Sequence, residues 1–150
     1  MARRDASALK PVPRVRQVQI VQDVVDDMLA HAREDAPNEC CGLLVGSRGA
    51  IERSIRARNR DSSSTRYLID PDDHFAAIHA ARNENRRVIG AYHSHPASAP
   101  TPSPSDIAEA SGGADFIYVI VSPVKPEGEV FAYTLKNGNV VPVELVRAAA

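Results

Sequence analysis

The sequence predicts an α/β fold, a single domain with a mixed central β-sheet flanked by helices. Segments with helical and with strand-like patterns alternate along most of the chain, and strand-like segments dominate its end. The 150 residues, 43% of them hydrophobic, supply enough apolar side chains for one core and too few for two domains. We expect residues 1–14, which mix charges with prolines, to form a flexible tail and residues 15–150 to form the domain.

The sequence of residues 17–58 predicts a strand, a helix and two further strands. Residues 17–21 form the first strand, and the helix after it repeats apolar residues at steps of three and four before Pro37 ends it. Residues 39–46 are a short apolar run that begins at Glu39, and its length favours a buried strand over a helix. Residues 51–58 alternate less regularly, which is typical of a more exposed strand. The apolar positions of the helix are Val24, Val25, Met28, Leu29 and Ala32.

The middle of the domain predicts a loop, a brief strand and a second helix. Residues 61–64 have the polar composition of a loop, and residues 67–69 have that of a short strand. The helix covers residues 70–83, because proline is tolerated in a first turn and acidic residues are favoured at the positive end of the helix dipole. Its predicted apolar stripe consists of Phe75, Ile78 and Ala81.

The sequence of residues 87–145 predicts four strands and one helix. Residues 116–121 are the most strand-like run in the chain, so we expect this strand to be central. Asn137 and Gly138 are a favoured pair for a type I′ turn, and we expect them to join the last two strands as a hairpin. The predicted strands cover residues 87–93, 116–121, 130–135 and 140–145, and the helix covers residues 104–111.

Charge and composition argue against several functional classes. Eighteen basic and nineteen acidic residues give a net charge of -1, so no global field draws the chain to nucleic acid or to an anionic membrane. We interpret four nearby arginines as a solvated sheet edge, because no aromatic residues are interleaved with them. We expect no signal peptide and no membrane span, and therefore a cytoplasmic protein. The four arginines are Arg53, Arg56, Arg58 and Arg60.

The two cysteines, Cys40 and Cys41, are adjacent in sequence. Neighbours on an extended segment point to opposite faces, so this pair does not form an ordinary disulfide, which fits a reducing cytosol. We interpret both as small core residues rather than as nucleophiles.

The segment Tyr92-His93-Ser94-His95-Pro96 predicts a metal site. Two histidines two positions apart on an extended segment point to the same face, so both can reach one ion. Asp106, eleven residues after His95, supplies a third ligand from a following loop. Three nitrogen and oxygen ligands leave one position of a zinc ion open for water, which distinguishes a catalytic zinc from a structural one. Ser94 faces away by strand alternation, and we expect it neither to bind the metal nor to take part in the reaction.

The segment Ser103-Pro104-Ser105-Asp106 also has a purely structural interpretation. A serine N-cap, a proline at the first helical position and an acid at the third are a variant of the capping box. Helix capping alone does not explain why this segment follows the two histidines so closely. The segment can cap a helix and also supply a metal ligand.

These motifs resemble the JAMM (MPN-plus) family of zinc metalloproteases. The family signature is an upstream glutamate, then His-Ser/Thr-His-Pro, then Ser-x-x-Asp, and the sequence matches it at Glu39, His93 to Pro96, and Ser103 to Asp106. The resemblance covers residues 17–123 and is greatest to the short bacterial and archaeal branch. It implies a single MPN/JAMM-like domain with an architecture related to that of cytidine deaminase.

The resemblance also implies a role for each site residue. His93, His95 and Asp106 would bind one zinc ion, Glu39 would be the general base for a zinc-activated water, and Ser103 would stabilise the oxyanion. The implied reaction is hydrolysis, as a metallopeptidase or isopeptidase, of an amide bond at the carboxyl-terminal tail of a small ubiquitin-like protein of the sulfur-carrier type.

Two other functional classes are weighed against this one. Metal-free MPN members are non-catalytic scaffold modules that have lost ligands, whereas this sequence keeps all five site residues. A zinc nucleoside deaminase requires a Pro-Cys-x-x-Cys ligand pair, and the sequence contains none. The sequence leaves open the substrate protein, the choice between peptide and isopeptide bonds, and the oligomeric state.

Overall fold

The computed structural model describes residues 15–148, so the tail expected at residues 1–14 lies outside the described residues. Within the described range no helix is long and apolar enough to cross a membrane. The helices are α1 (Gln22–Asp35), α2 (Pro71–Asn83) and α3 (Pro104–Glu109). The strands are β1 (Gln17–Val21), β2 (Cys41–Ser47), β3 (Ala50–Ala57), β4 (Arg87–Ser94), β5 (Ile117–Ser122), β6 (Glu129–Thr134) and β7 (Val141–Ala148).

The strands form one closed sheet in the order β1-β3-β2-β4-β5-β6-β7, with β7 paired to β1. Three pairs are parallel (β1 with β3, β1 with β7, and β4 with β5), and the others are antiparallel. The predicted α/β class with a mixed sheet is therefore confirmed. The closure was not predicted, because it depends on a parallel register between Gln17 and Glu144 at opposite ends of the domain.

The main core lies between α1 and the inner face of the closed sheet. Met28 and Ala32 of α1 are fully buried there, and each sheet strand contributes at least one side chain to the same cluster. Burying a large apolar side chain contributes about 1.5–3 kcal/mol, so this cluster makes the sheet a firm support for residues at its rim. Its sheet members include Val18, Ile20, Leu44, Ile51, Tyr92, Val119, Ala132 and Val143.

The predicted arginine edge lies on and just after β3, which pairs with β2 along its length but with β1 only at Ala50 and Ile51. Within the described residues, the rest of β3 is therefore open on the β1 side, as expected of an edge. Three of the four arginine side chains are also paired with acids in or beside α1 and α2, which the sequence did not indicate. The pairs are Arg53 with Glu84, Arg56 with Asp27 and Glu34, and Arg58 with Asp70 and Asp73.

The helix α2 packs through part of the predicted stripe. Ala81 is buried and Ile78 is half-buried as expected, but Phe75 is 64% exposed. Ala77, which the prediction left out, is buried in a cluster with Leu43 and Ala91 of the sheet, so hydrophobicity alone misplaced Phe75.

Two local predictions also need correction. Residues 67–69 do not form a strand and make only an isolated bridge between Ile69 and Asn59. The last turn has the predicted centre, since Asn137 and Gly138 both have positive φ and the Asn139 N–H donates to the Lys136 carbonyl over 2.9 Å. Pairing of β6 with β7 begins only at Thr134 and Val141, so the connection is longer than a two-residue hairpin.

Candidate metal centre

The antiparallel pairing of β2 with β4 brings two distant motifs together. Cys41 lies opposite His93 in this ladder. The register continues one residue further, since the Ser94 N–H donates to the Cys40 carbonyl over 3.1 Å. The next step of the same register places Glu39 opposite His95. Glu39, predicted at the start of β2, lies two residues before it.

Three side chains converge at the end of β4. The Nε2 atoms of His93 and His95 lie 3.2 Å apart, and each lies 3.0 Å from Oδ2 of Asp106. All three residues are buried, and their ligand atoms form a group that could hold a metal ion. The structure therefore brings together the three residues that the sequence predicted as ligands.

Two hydrogen bonds outside this cluster hold the backbone and the imidazole ring of His95. The backbone N–H of His95 donates to the Val121 carbonyl over 2.9 Å, which ties it to the end of β5. Nδ1 of His95 lies 2.9 Å from the Ala99 carbonyl, which can only accept, so Nδ1 carries the proton. The lone pair of Nε2 then points into the cluster, as a metal ligand requires.

The electrostatics favour the ligand forms of Asp106 and His93, whereas for His95 burial is outweighed by contacts, chiefly those with Asp106, that raise the pKa. Burial alone would raise the pKa of Asp106, but its contacts with His93 and His95 outweigh burial and hold the pKa well below its usual range. Burial lowers the pKa of His93 despite the neighbouring carboxylate. An ionised aspartate beside a neutral imidazole is the protonation state in which both groups bind a metal.

Asp106 also belongs to the cap of α3, as the sequence allowed. The Asp106 N–H donates to Oγ of Ser103 over 3.1 Å, and the Ser103 N–H donates to Oδ2 of Asp106 over 3.0 Å. This reciprocal pair is a capping box, with Pro104 at the first helical position. The cap thus orients the carboxylate toward the histidines, and the structural and functional interpretations of the segment are both compatible with the geometry.

Glu39 is a buried carboxylate with an unsatisfied oxygen. The residue is 4% exposed, and among the described residues its Oε1 is the buried side-chain atom without a hydrogen-bond partner. Burial raises its pKa from 4.5 to about 7. The charge of His95 lowers this pKa, and the charge of Asp106 raises it further. Leaving a buried polar atom unpaired costs about 1–3 kcal/mol, which points to a functional reason for this residue.

Ser94 contributes to the site in a way that the sequence interpretation missed. Its side chain faces away from the cluster, and its Oγ accepts a hydrogen bond of 2.8 Å from the backbone N–H of Cys40. This bond fixes the residue that follows Glu39 to the residue between the two histidines. The alternation argument correctly removed Ser94 from the ligands, but it carried no information on this backbone partner.

Tyr67 is a second contributor that the sequence did not indicate. Its ring stacks on the His93 imidazole, with centroids 4.2 Å apart and planes inclined by 16°. The stack covers the face of His93 and restricts its rotation. Tyr67 lies in the segment predicted as a brief strand, and no spacing relates it to the histidines.

The cysteines and His31 lie outside the cluster. Cys40 and Cys41 are buried free thiols, and burial raises the pKa of each to about 12, as expected for core residues rather than nucleophiles. His31 is buried beside Tyr92, with its Nδ1 2.7 Å from the tyrosine hydroxyl.

The family match and the named relatives given below, together with the cluster, define a JAB-type hydrolase domain that acts on peptide or isopeptide bonds. The chain belongs to the prokaryotic homologues of the JAB domain, whose family model matches residues 21–136. This match, together with the relatives and structures below, confirms the resemblance to the JAMM family.

Three relatives with named activities cover most of the chain. A CysO-cysteine peptidase from Mycobacterium tuberculosis is 36% identical over 129 residues, covering 83% of this chain and 88% of the relative. A desampylase from Haloferax volcanii is 34% identical, covering 71% and 81%. A probable TtuB-protein conjugate cleaving protease from Thermus thermophilus is 33% identical, covering 75% and 79%.

Solved structures show the same fold. A protein from Desulfitobacterium hafniense is 29% identical and superposes with a TM-score of 0.83, covering 89% of this chain and 94% of that one. A JAB1/MPN domain protein from Archaeoglobus fulgidus is 23% identical with a TM-score of 0.56, covering 87% and 97%. The second similarity supports the fold alone.

Proposed function

We propose that this protein is a zinc metallopeptidase or isopeptidase that hydrolyses an amide bond at the carboxyl-terminal tail of a ubiquitin-like protein of the sulfur-carrier type. One observation carries the proposal. A buried set of two imidazole nitrogens and one carboxylate oxygen lies at the end of β4. Across the β2–β4 pair lies a buried glutamate whose Oε1 has no hydrogen-bond partner within residues 15–148.

The geometry of the three ligand atoms fits zinc. Ligands of a tetrahedral zinc at about 2.0–2.1 Å lie about 3.3–3.4 Å from one another. The three atoms here are 3.0–3.2 Å apart, so a small adjustment admits the ion. A zinc ion held by His93, His95 and Asp106 would supply a Lewis acid with one open position for water.

Glu39 is suited to carry a proton in both directions. A general base works best when its pKa lies near the operating pH, and burial raises the pKa of this carboxyl to about 7. Glu39 would take a proton from water and return one to the leaving amine. Its unsatisfied oxygen is the atom available for this transfer.

Ser103 would stabilise the negative charge that develops on the carbonyl oxygen. Its Oγ already accepts from the Asp106 N–H, and Oγ of Ser105 lies 3.1 Å away. The cap bond uses only a lone pair of Oγ, so the Ser103 hydrogen can be donated to the substrate when Ser105 is the donor between the two hydroxyls.

The substrate class follows from the relatives. Their names specify a CysO-cysteine bond and TtuB-protein conjugates. We extend to this chain the cleavage of a bond that joins a protein to another group, and the resemblance to the JAMM family suggests that the bond lies at the tail of a small ubiquitin-like protein. An extended carboxyl-terminal tail can reach a buried cluster at the end of β4, whereas the folded part of the substrate protein cannot.

A cleavage assay on zinc-loaded protein tests this function. The substrates are a ubiquitin-like protein with a Gly-Gly tail joined either to one amino acid by a peptide bond or to a lysine side chain by an isopeptide bond. We expect hydrolysis of at least one conjugate, loss of activity on chelation and recovery with zinc. His93→Ala should abolish both zinc binding and hydrolysis, whereas the exposed His79→Ala should affect neither.

Two results would overturn the assignment. The first is failure to cleave either conjugate by protein that holds about one zinc per chain, which would favour a non-catalytic module. The second is undiminished cleavage after the metal has been removed.

A further inference from the structure

We propose that Asn59 is a positioning residue that holds Glu39 and His93 in a fixed relation through the segment of residues 59–68. The inference rests on the proposed function, since it concerns the general base and a metal ligand of that reaction. In the described part of the chain, the Asn59 side chain makes no hydrogen bond to the ligand cluster or to the carboxylate of Glu39. It acts through backbone groups and through Tyr67.

The side chain of Asn59 makes every hydrogen bond that an amide can make. Its Nδ2 donates to the Glu39 carbonyl over 3.1 Å and to the Arg66 carbonyl over 3.0 Å. Its Oδ1 accepts from the N–H groups of Asp61 and Leu68 over 3.0 Å and 2.9 Å. An asparagine has two donors and two acceptor positions, so none is left for water.

Two of these four bonds bracket Tyr67. The Arg66 carbonyl precedes this residue and the Leu68 N–H follows it, so the amide fixes the backbone on both sides of the tyrosine. The Tyr67 ring stacks on the His93 imidazole with centroids 4.2 Å apart. A continuous series of contacts therefore runs from Glu39 through Asn59 and Tyr67 to His93.

Other bonds close the segment on itself and on Glu39. The Arg60 N–H donates to the Leu68 carbonyl over 2.8 Å, and the Glu39 N–H donates to the Ser63 carbonyl over 2.8 Å. Both backbone groups of Glu39 thus bind this segment rather than a strand. The general base precedes β2, beyond the sheet ladder, and Asn59 substitutes for the missing partner strand.

Only an amide provides this combination of bonds. An aspartate would keep the two acceptor positions and lose both donors, placing a charge against the carbonyls of Glu39 and Arg66. Misplacing a reacting group by about 1 Å can reduce a rate by about 100-fold. The expected defect is in the chemical step, because substrate affinity does not depend on where the base lies.

The test compares Asn59→Ala and Asn59→Asp with the matched variant Asn38→Ala. Asn38 immediately precedes Glu39, is exposed, and makes no side-chain hydrogen bond with the described residues. We expect both Asn59 variants to retain zinc and a KM within about threefold, while kcat falls about 10- to 100-fold. Asn38→Ala should match the wild type. An unchanged kcat in Asn59→Asp, or a loss confined to KM, would overturn the inference.

Amide hydrogen exchange on the metal-free proteins gives a readout that does not depend on activity. In Asn59→Ala the amides of Glu39 and Leu68 should both exchange faster, because both lose the element that orders them. In Asn59→Asp the Leu68 amide should stay protected while that of Glu39 does not. If Asn59→Ala fails to fold, the aspartate variant decides the question.

Exchange that leaves Glu39 unaffected in both variants would contradict the positioning role. A wild-type protein that cleaves no conjugate would instead contradict the proposed function. The exchange experiment would still show whether Asn59 orders the backbone of Glu39.

Discussion

The hydroxyl of Ser94 accepts a 2.8 Å hydrogen bond from the backbone N–H of Cys40, which joins the residue between the two histidines to the residue after Glu39. Both residues are fully buried. A buried N–H that loses its acceptor costs about 1–3 kcal/mol, so this single bond affects both the stability of the β2–β4 pair and the placement of Glu39.

Replacement of Ser94 tests this connection. Ser94→Ala should lower the free energy of unfolding by about 1–3 kcal/mol and reduce kcat about tenfold with zinc retained, because the backbone directly after Glu39 loses a hydrogen bond that helps to position it. Denaturant unfolding and steady-state kinetics measure the two effects. The exposed Ser47→Ala is the control, and a Ser94→Ala protein with wild-type stability and kcat would contradict the role of this bond.

The stack of Tyr67 on His93 predicts an effect on metal affinity. Tyr67→Leu should weaken zinc binding about 10- to 100-fold, as is typical when a group that orients a metal ligand is removed. Tyr67→Phe keeps the ring and should bind zinc like the wild type. Competition with a chromogenic chelator measures both, and equal affinity in the leucine variant would mean that the stack is incidental.

Ser103 caps α3 and is the proposed oxyanion donor, so its replacement should reduce both the stability of the protein and kcat. Ser103→Ala removes the N-cap of α3, which costs about 0.5–2 kcal/mol, and it removes the proposed oxyanion donor, which should reduce kcat about 100- to 1000-fold. The exposed Ser47→Ala, which lies outside the site, should preserve both. A stable Ser103→Ala variant with nearly normal kcat would restrict Ser103 to capping.

The pKa of Glu39 predicts the acidic limb of the pH profile. Burial raises this pKa from 4.5 to about 7, so at pH 6 only about a tenth of the carboxyl groups are ionised and able to accept a proton. We expect kcat/KM to rise with pH up to about 7 and then to level off. Zinc content measured at each pH separates this effect from metal loss. A flat profile from about pH 5 upward would show that no such base is required.

Several parts of the fold and the site could be predicted from the sequence because their determinants are local. The strand at residues 17–21 and the cap at Ser103 and Asp106 depend on neighbours within a few positions, and the structure contains both. The histidine pair follows from strand alternation in the same way.

The rest depends on contacts between distant residues. The pairing of β1 with β7 closes the sheet, and the exposure of Phe75 depends on which face of α2 packs against the sheet. The stack of Tyr67 on His93 and the hydrogen bond of Ser94 to Cys40 require tertiary placement of segments that have no common pattern. These are the features that periodicity and propensity do not encode.

The central claim is that Glu39 moves protons while three other residues hold the metal. Glu39→Gln preserves the size and polarity of the side chain and removes its basicity, so kcat and zinc content measured on the same preparation test it most directly. The account predicts about one zinc per chain and a loss of kcat of about 100- to 10,000-fold. Normal turnover by the zinc-loaded Glu39→Gln protein would contradict it.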